Sequence, residues 1–469
     1  MAASRPSRMI KPGWLSPLDR HRLPLADRPR EDARGGAVTP SCQEVPVLLR
    51  FRVANHRSIR DECELSLIGT ALNEGTARDT GLRHDDHEVT ALPVVGVFGA
   101  NASGKTNLIS ALRDMRAAVR TSFADWPKSP GVPRKPFKLD RESSEETSLY
   151  EVDLTLGRKP VRFTYGFELS DDRVEAEWLH AYPNGEREIW FDREADRPDA
   201  EGGEFVFESD SFVGQRDALV SFTRPDALFL STAATANDKQ LSALYRWFLD
   251  NLWLMTPGAD VVHRTKWTQE LLGEPGRKGG YGERILQLLS VADLGVTGIE
   301  IDRETQEIRL RHRTTEGEDV SLDFLTEESF GTHAWFAFLG PMLTVLDKGA
   351  VLLVDELDSS LHPTLAAEVV RIFQDPKANP RDAQLIFTTH DATLLGSEVL
   401  DRPLGSDQVW LTAKDRTGAT EIYPLTAARP ADDENLERGY LRGRYGGTPR
   451  VSAGEIAREV SWQEAKASA

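Results

Sequence analysis

Apolar positions divide the chain into three rhythms. Strict alternation of apolar and polar residues, the period of a half-buried strand, marks 48–53 and 63–68. It returns over 150–156, 161–169, 176–182, 188–191 and 299–310. Short continuous apolar runs, the mark of strands buried on both faces, stand at 92–98, 351–354 and 384–388. Spacing of three and four predicts helices over 107–119, 241–254, 282–289, 332–346 and 361–373. Residues 120–141 hold four prolines and read as loop. Strands alternating with helices at both ends of the chain predict an α/β fold. Its sheet should be mainly parallel, with flanking antiparallel β and a mixed insertion. No internal repeat and no sustained heptad is found, so long coiled-coil arms are not expected.

Residues 1–46 lack periodicity, are rich in Pro and Arg, and read as a disordered tail that need not belong to the folded protein. One domain is expected over 47–469. It would carry an insertion over about 125–320, a lobe over about 321–425 and a C-terminal segment over 426–469. Composition then narrows the function. With 39% hydrophobic and 28% charged residues, most of the 469-residue chain is core-forming. Lys and Arg number 57 against 75 Asp and Glu, a formal charge of −18, which excludes a general phosphate-backbone binder. Two cysteines, Cys42 and Cys63, make no disulfide framework and suit a reducing cytoplasm. The longest apolar stretch, 334–346, contains Gly340 and Pro341 and stops at Asp347 and Lys348. It falls short of the roughly 18 residues of a membrane span, so no membrane association is expected.

The chemistry concentrates at the ends of the three buried runs. Gly99, Ala100, Asn101, Ala102, Ser103, Gly104, Lys105 and Thr106 match G-x-x-x-x-G-K-[ST] at every fixed position, and Asn107 opens the following helix. Glycines let backbone N–H groups turn inward around phosphates, and a helix N-terminus points at them. Lys105 would reach the outer phosphates and Thr106 would ligate Mg²⁺. The run at 351–354 ends in Asp355 and Glu356, which emerge at the carboxyl edge of the sheet, where α/β proteins bind ligands. Asp355 would hold Mg²⁺ through water, and Glu356 would polarise the attacking water. The run at 384–388 delivers His390, 35 residues after Asp355, enough for one helix and one strand between them. The two strand ends should therefore lie side by side, with His390 bonding the γ-phosphate or the attacking water.

Taken together, these residues resemble the ATP-binding-cassette ATPase core: a P-loop NTPase with Walker A, Walker B with an immediate Glu, Leu357, Asp358, Ser359, Ser360, Leu361 and His362 after it, then a strand-end His. The resemblance implies a signature peptide before Walker B. Glu328, Ser329, Phe330, Gly331 and Thr332 stand there, keeping a Ser and a Gly but not the transporter form L-S-G-G-Q. By resemblance, Ser329 and Gly331 form a second anion site that closes over the γ-phosphate of the other protomer in a homodimer. A plain helix cap by Ser329 is the alternative. More narrowly, the chain is similar to the branch with overcoming-lysogenization, RecF and SMC-type heads, and most of all to AAA-family ATPases of bacterial abortive infection. Residues 51–59, 136–140 and 435–446 carry that likeness, which spans about 47–450.

Two departures matter. The family's coupling Gln after the P-loop helix has no counterpart, since no Gln occurs between Thr106 and Gln215; residues 136–140 hold only its position. Nor do the 79 residues after His390 hold a strand-framed acidic set suited to a two-metal nuclease, although Asp432, Asp433 and Glu434 lie there. The resemblance thus implies an ATP-driven switch governing a separate nuclease-like effector, with any nucleic-acid contact indirect. Direct action on DNA, as by RecF or SMC-like ATPases, is the alternative. Arg438, Arg442, Arg444 and Arg450, beside Tyr440 and Tyr445, are expected either to dock a partner or to cap the fold.

Overall fold

The computed structural model describes residues 46–458 and 460, apart from 74, 85, 86, 129, 130, 259, 274–279, 293, 294, 303, 360, 397–399, 432, 433 and 449–453. The tail expected over 1–46 lies outside the described residues except for Pro46, as do Cys42, Ser360, Asp432, Asp433 and Arg450.

Two sheets organise the molecule. The first is antiparallel and seven-stranded, built from β1 (Leu48–Ala54), β2 (Cys63–Ser66), β6 (Ser148–Leu156), β7 (Val161–Leu169), β8 (Val174–Tyr182), β9 (Glu188–Glu194) and β10 (Phe205–Val206), in the order β10-β9-β8-β7-β6-β1-β2. A hairpin, β3 (Arg78–His84) and β4 (His87–Ala91), follows β2. The second sheet holds β5 (Val94–Gly99), β11 (Leu252–Met255), β15 (Val351–Val354), β16 (Gln384–Thr389), β17 (Val409–Lys414) and β18 (Thr420–Pro424), in the order β11-β15-β16-β5-β17-β18. All its pairings are parallel except the β17–β18 edge. A third, small sheet joins β12 (Val296–Ile301), β13 (Ile308–Arg313) and β14 (Asp319–Asp323).

The parallel sheet is covered on both faces, which is why β5, β15 and β16 read as unbroken apolar runs. Side chains alternate between two cores. Val95, Val97, Leu353 and Ile386 point to the core shared with the antiparallel sheet, α1 (Lys105–Thr121), α4 (Phe229–Thr235) and α5 (Leu241–Asp250). Val94, Phe98, Leu352 and Phe387 point to the core under α8 (Phe330–Lys348) and α9 (Pro363–Gln374). Around α8 a lobe forms from α6 (Asp260–Gly273), α7 (Tyr281–Ala292) and the small sheet. The short α2 (Arg141–Glu145) and α3 (Arg216–Phe222) border the antiparallel sheet, and α10 (Leu436–Leu441) follows β18.

The helix expected over 241–254 is cut short. α5 ends at Asp250, and Leu252–Met255 form β11, paired in parallel with β15. The Leu-Trp-Leu-Met run suits either element, and the open edge of β15 supplies a ladder that a longer helix would forfeit. The strands after the P-loop helix also do more than fill an insertion: β6 pairs with β1, so β6–β10 extend the sheet that β1 and β2 begin. On the outward face of that sheet lies a buried ion network. Burial pushes Glu151 up, whereas Arg50 and Arg162 overcome burial and hold Asp153 at about 2.

Candidate nucleotide site

Because β15, β16 and β5 are adjacent and parallel, their carboxyl ends open on one edge of the sheet. The phosphate loop leaves β5 and enters α1 at Lys105. Gly104 is the helix N-cap at φ 111°, no side chain caps the first turn, and no carboxylate lies in it. The amides there are left for an anion. Glycine is also required for space: a Cβ on Gly104 would come within 2.1 Å of Thr420 Oγ1. Loop residues are tied to β17 and β18. Ser103 Oγ bonds Thr412 Oγ1 at 2.6 Å, and Thr420 Oγ1 donates to the Ser103 carbonyl at 2.9 Å. Asn107 Nδ2 donates to Ser58 Oγ at 2.6 Å, joining the turn after β1 to α1. Asn101 and Ala102 are exposed at the loop's tip, Ala102 with φ 63°.

Lys105 Nζ donates to the carbonyls of Gly99, at 2.7 Å, and Ala100, at 3.0 Å. Burial lowers its pKa, and the nearby carboxylates of Asp358, Glu356 and Asp355 push the other way. Thr106 Oγ1 donates to Asp355 Oδ1 at 3.1 Å, and Thr388 Oγ1 donates to the same oxygen at 2.7 Å. The Glu356 N–H donates to Thr388 Oγ1 at 2.8 Å. One bond path therefore links the P-loop helix, the end of β15 and the end of β16. Glu356 holds a left-handed φ of 53°, an unfavourable conformation for a non-glycine residue, which turns the chain sharply after Asp355. Ser359 fixes that turn, its N–H and hydroxyl both bonding the Glu356 carbonyl.

His390 follows β16, and its Nδ1 lies 2.7 Å from Asp358 Oδ2. The approach is off the hydrogen-bond line, and neither Asp358 oxygen has an aligned donor among the described residues. The structure thus brings Lys105, Thr106, Asp355, Glu356 and His390 to one edge. Ser329 and Gly331 are not joined to it: no hydrogen bond or ion pair among the described residues links them to their own chain's phosphate loop. Ser329 is the N-cap of α8, its Oγ accepting from the Thr332 N–H at 3.1 Å. Gly331 is open, and Phe330 between them is 73% exposed. Glu328 is tied to β13 through His312 Nε2 at 2.7 Å.

Thr106 and Asp355 offer hard oxygen donors side by side, a set that fits Mg²⁺ held by one or two protein groups plus phosphate oxygens. Three features of the site escape sequence reasoning. Thr388 bridges the two carboxylate residues, Asp358 meets His390, and Thr412 and Thr420 lace the loop. Only Asp358 left a signal, as an acid two residues past the Asp355-Glu356 pair. At 136–140, where the family's coupling Gln would lie, Phe137 is buried, and its N–H donates to Asn55 Oδ1 at 2.8 Å. A cavity of about 650 Å³, walled by Phe163, Trp190 and Trp247, opens elsewhere and includes none of these residues.

Residues 94–396, spanning all three strand ends, match the family model described as "AAA domain, putative AbiEii toxin, Type IV TA system". The chain belongs to that family. This AAA-domain protein has an α/β fold in which a phosphate loop joins the end of β5, inside a mainly parallel sheet, to α1. Solved structures similar to it include an SMC head domain from Thermotoga maritima, 12% identical, with a TM-score of 0.37 over 80% of this chain and 98% of that one. An Smc head domain with coiled coil and joint from Pyrococcus yayanosii is 10% identical, with a TM-score of 0.36 over 82% and 100%. A part of the cbiONQ ABC transporter complex from Clostridium perfringens is 10% identical, with a TM-score of 0.30 over 84% and 94%. No curated protein matches the chain. No helix among the described residues is long and apolar enough to cross a membrane.

Proposed function

We propose that this AAA-domain protein hydrolyses ATP with Mg²⁺ as a nucleotide-sandwich homodimer, and that it is a cytoplasmic switch for a separate nuclease-like effector in phage defence. The observation that carries the catalytic part is the bond path from Thr106 through Asp355 and Thr388 to Glu356. Residues 99–107 cradle the phosphates with backbone amides. Lys105 exchanges its two loop carbonyls for phosphate oxygens. Thr106 directly and Asp355 through water would hold Mg²⁺, which would neutralise charge on the phosphates. Glu356 takes a proton from the attacking water, and His390 bonds the γ-phosphate or that water through its outward face. Ser329 and Gly331, exposed at the start of α8, act on the nucleotide of the second protomer. The defence role is supported by the family's description, which names a toxin of a Type IV TA system.

Removing the Lys105 ammonium strips positive charge from the β/γ-phosphates. Phosphate release by Lys105→Ala should fall roughly 100-fold or more below wild type; equal rates overturn the hydrolysis reading. Glu356→Gln should retain ATP unhydrolysed and hold the sandwich shut. Light scattering of that variant with saturating ATP-Mg²⁺ should give twice the 52.2 kDa chain mass; a monomer overturns the dimer.

A further inference from the structure

The segment after β18 reaches back to the nucleotide site. The Gly447 carbonyl accepts the Ala100 N–H at 2.6 Å, directly within the phosphate loop. It also accepts the Tyr440 hydroxyl at 3.2 Å. Tyr440 is buried with its ring edge-on to Phe98, the strand residue just before the loop, at 6.3 Å between centroids. Tyr423 on β18 donates to the Tyr445 carbonyl at 3.0 Å. On its other side α10 packs against the 3-10 turn Ala392–Leu395 that follows His390, with Leu436, Leu394 and Leu395 in one core. Residues 436–447 therefore form a strap touching both the phosphate loop and the turn after His390. Gly447 has φ 73°, in the left-handed region that an L side chain rarely adopts, so the site suits glycine.

Ala100 is held through both of its backbone polar groups. Its carbonyl takes bonds from Lys105 Nζ and from the Ser103 N–H, and its N–H goes to Gly447. When Lys105 turns to phosphate it releases the carbonyls of Gly99 and Ala100, while the Gly447 bond uses an N–H that this exchange leaves untouched. We propose that Tyr440 and Gly447 are positioning residues: the strap fixes the phosphate loop in the form that receives the triphosphate. The inference rests on reading residues 99–106 as the phosphate-binding loop.

The test uses the full chain and three readouts on Tyr440→Phe, which keeps the ring and deletes the hydroxyl: amide exchange of residues 98–105 without nucleotide, Kd for ATP-Mg²⁺, and the split between KM and kcat. One lost hydrogen bond should raise exchange at Ala100, Kd and KM each about five-fold, with kcat and the thermal midpoint little changed. Gly447→Ala, which strains the strap itself, should move the same quantities further in the same direction. A merely structural strap would lower the thermal midpoint and leave Kd and KM at wild-type values; that result overturns the proposal, as does unchanged exchange at Ala100. Should the wild type bind ATP without hydrolysing it, the hydrolysis reading falls alone, and the strap is still judged by Kd and exchange.

Discussion

Thr388 has no place in any motif, yet its hydroxyl occupies the joint of the site. It donates to Asp355 Oδ1 and accepts the Glu356 N–H, so one oxygen sets both the Asp355 carboxylate, the proposed Mg²⁺ ligand, and the strained backbone of Glu356, the proposed base. Valine has the same shape without the hydroxyl. In Thr388→Val the Glu356 N–H loses its acceptor, and Asp355 keeps only Thr106 of its two hydroxyl donors. Leaving such a group unsatisfied costs about 1–3 kcal/mol, and on the proposed mechanism the cost falls at the residue that activates the water. We expect kcat to fall about ten-fold with KM within two-fold, and Thr388→Ser to restore most of the loss. Steady-state phosphate release for the three proteins decides it; an unchanged kcat in Thr388→Val would show that the joint is not needed.

At the scale of elements, what could be read from the chain was whatever its local pattern determines. The phosphate loop, the acidic end of β15 and the histidine after β16 each follow a buried run that only a parallel, doubly covered strand explains, and all three meet on one edge. What stayed hidden depends on partners distant in sequence. Leu252–Met255 became a strand because β15 had a free edge, and β17 and β18 were not foreseen although they lace the loop. The helix at 332–346 was legible despite Pro341, but its crossing with α6 was not. There the Thr268 hydroxyl accepts the Gly340 N–H and donates to the Phe336 carbonyl, each at 3.0 Å, standing between two groups that a regular helix would join directly. A Cβ on Gly340 would meet Thr268 at 2.5 Å, so the glycine exists for the crossing rather than for the helix. The same holds for the aromatic half of the C-terminal motif. Tyr440 and Tyr445 are buried, Tyr440 against Phe98 at the start of the phosphate loop, whereas Arg438, Arg442 and Arg444 face outward, a division that composition alone could not assign.

For the whole molecule the deciding quantity is charge. A formal −18 repels a phosphate backbone over distances near the Debye length, about 8 Å at physiological salt. The outward arginines of the strap are too few to reverse that field, and Arg444 is already paired with Glu434. Proteins that bind duplex DNA without sequence preference do so by neutralising several phosphates, with dissociation constants of roughly 1–100 μM at such salt and a steep salt slope. The chain alone should therefore show no saturable binding to a 30-base-pair duplex below about 10 μM protein at 0.15 M salt, with or without ATP-Mg²⁺. Fluorescence anisotropy across a salt series measures it. If nucleic acid is contacted only through an effector, affinity should emerge when the effector is added. Micromolar or tighter binding by this chain alone, weakening steeply as salt rises, would instead favour direct action on DNA.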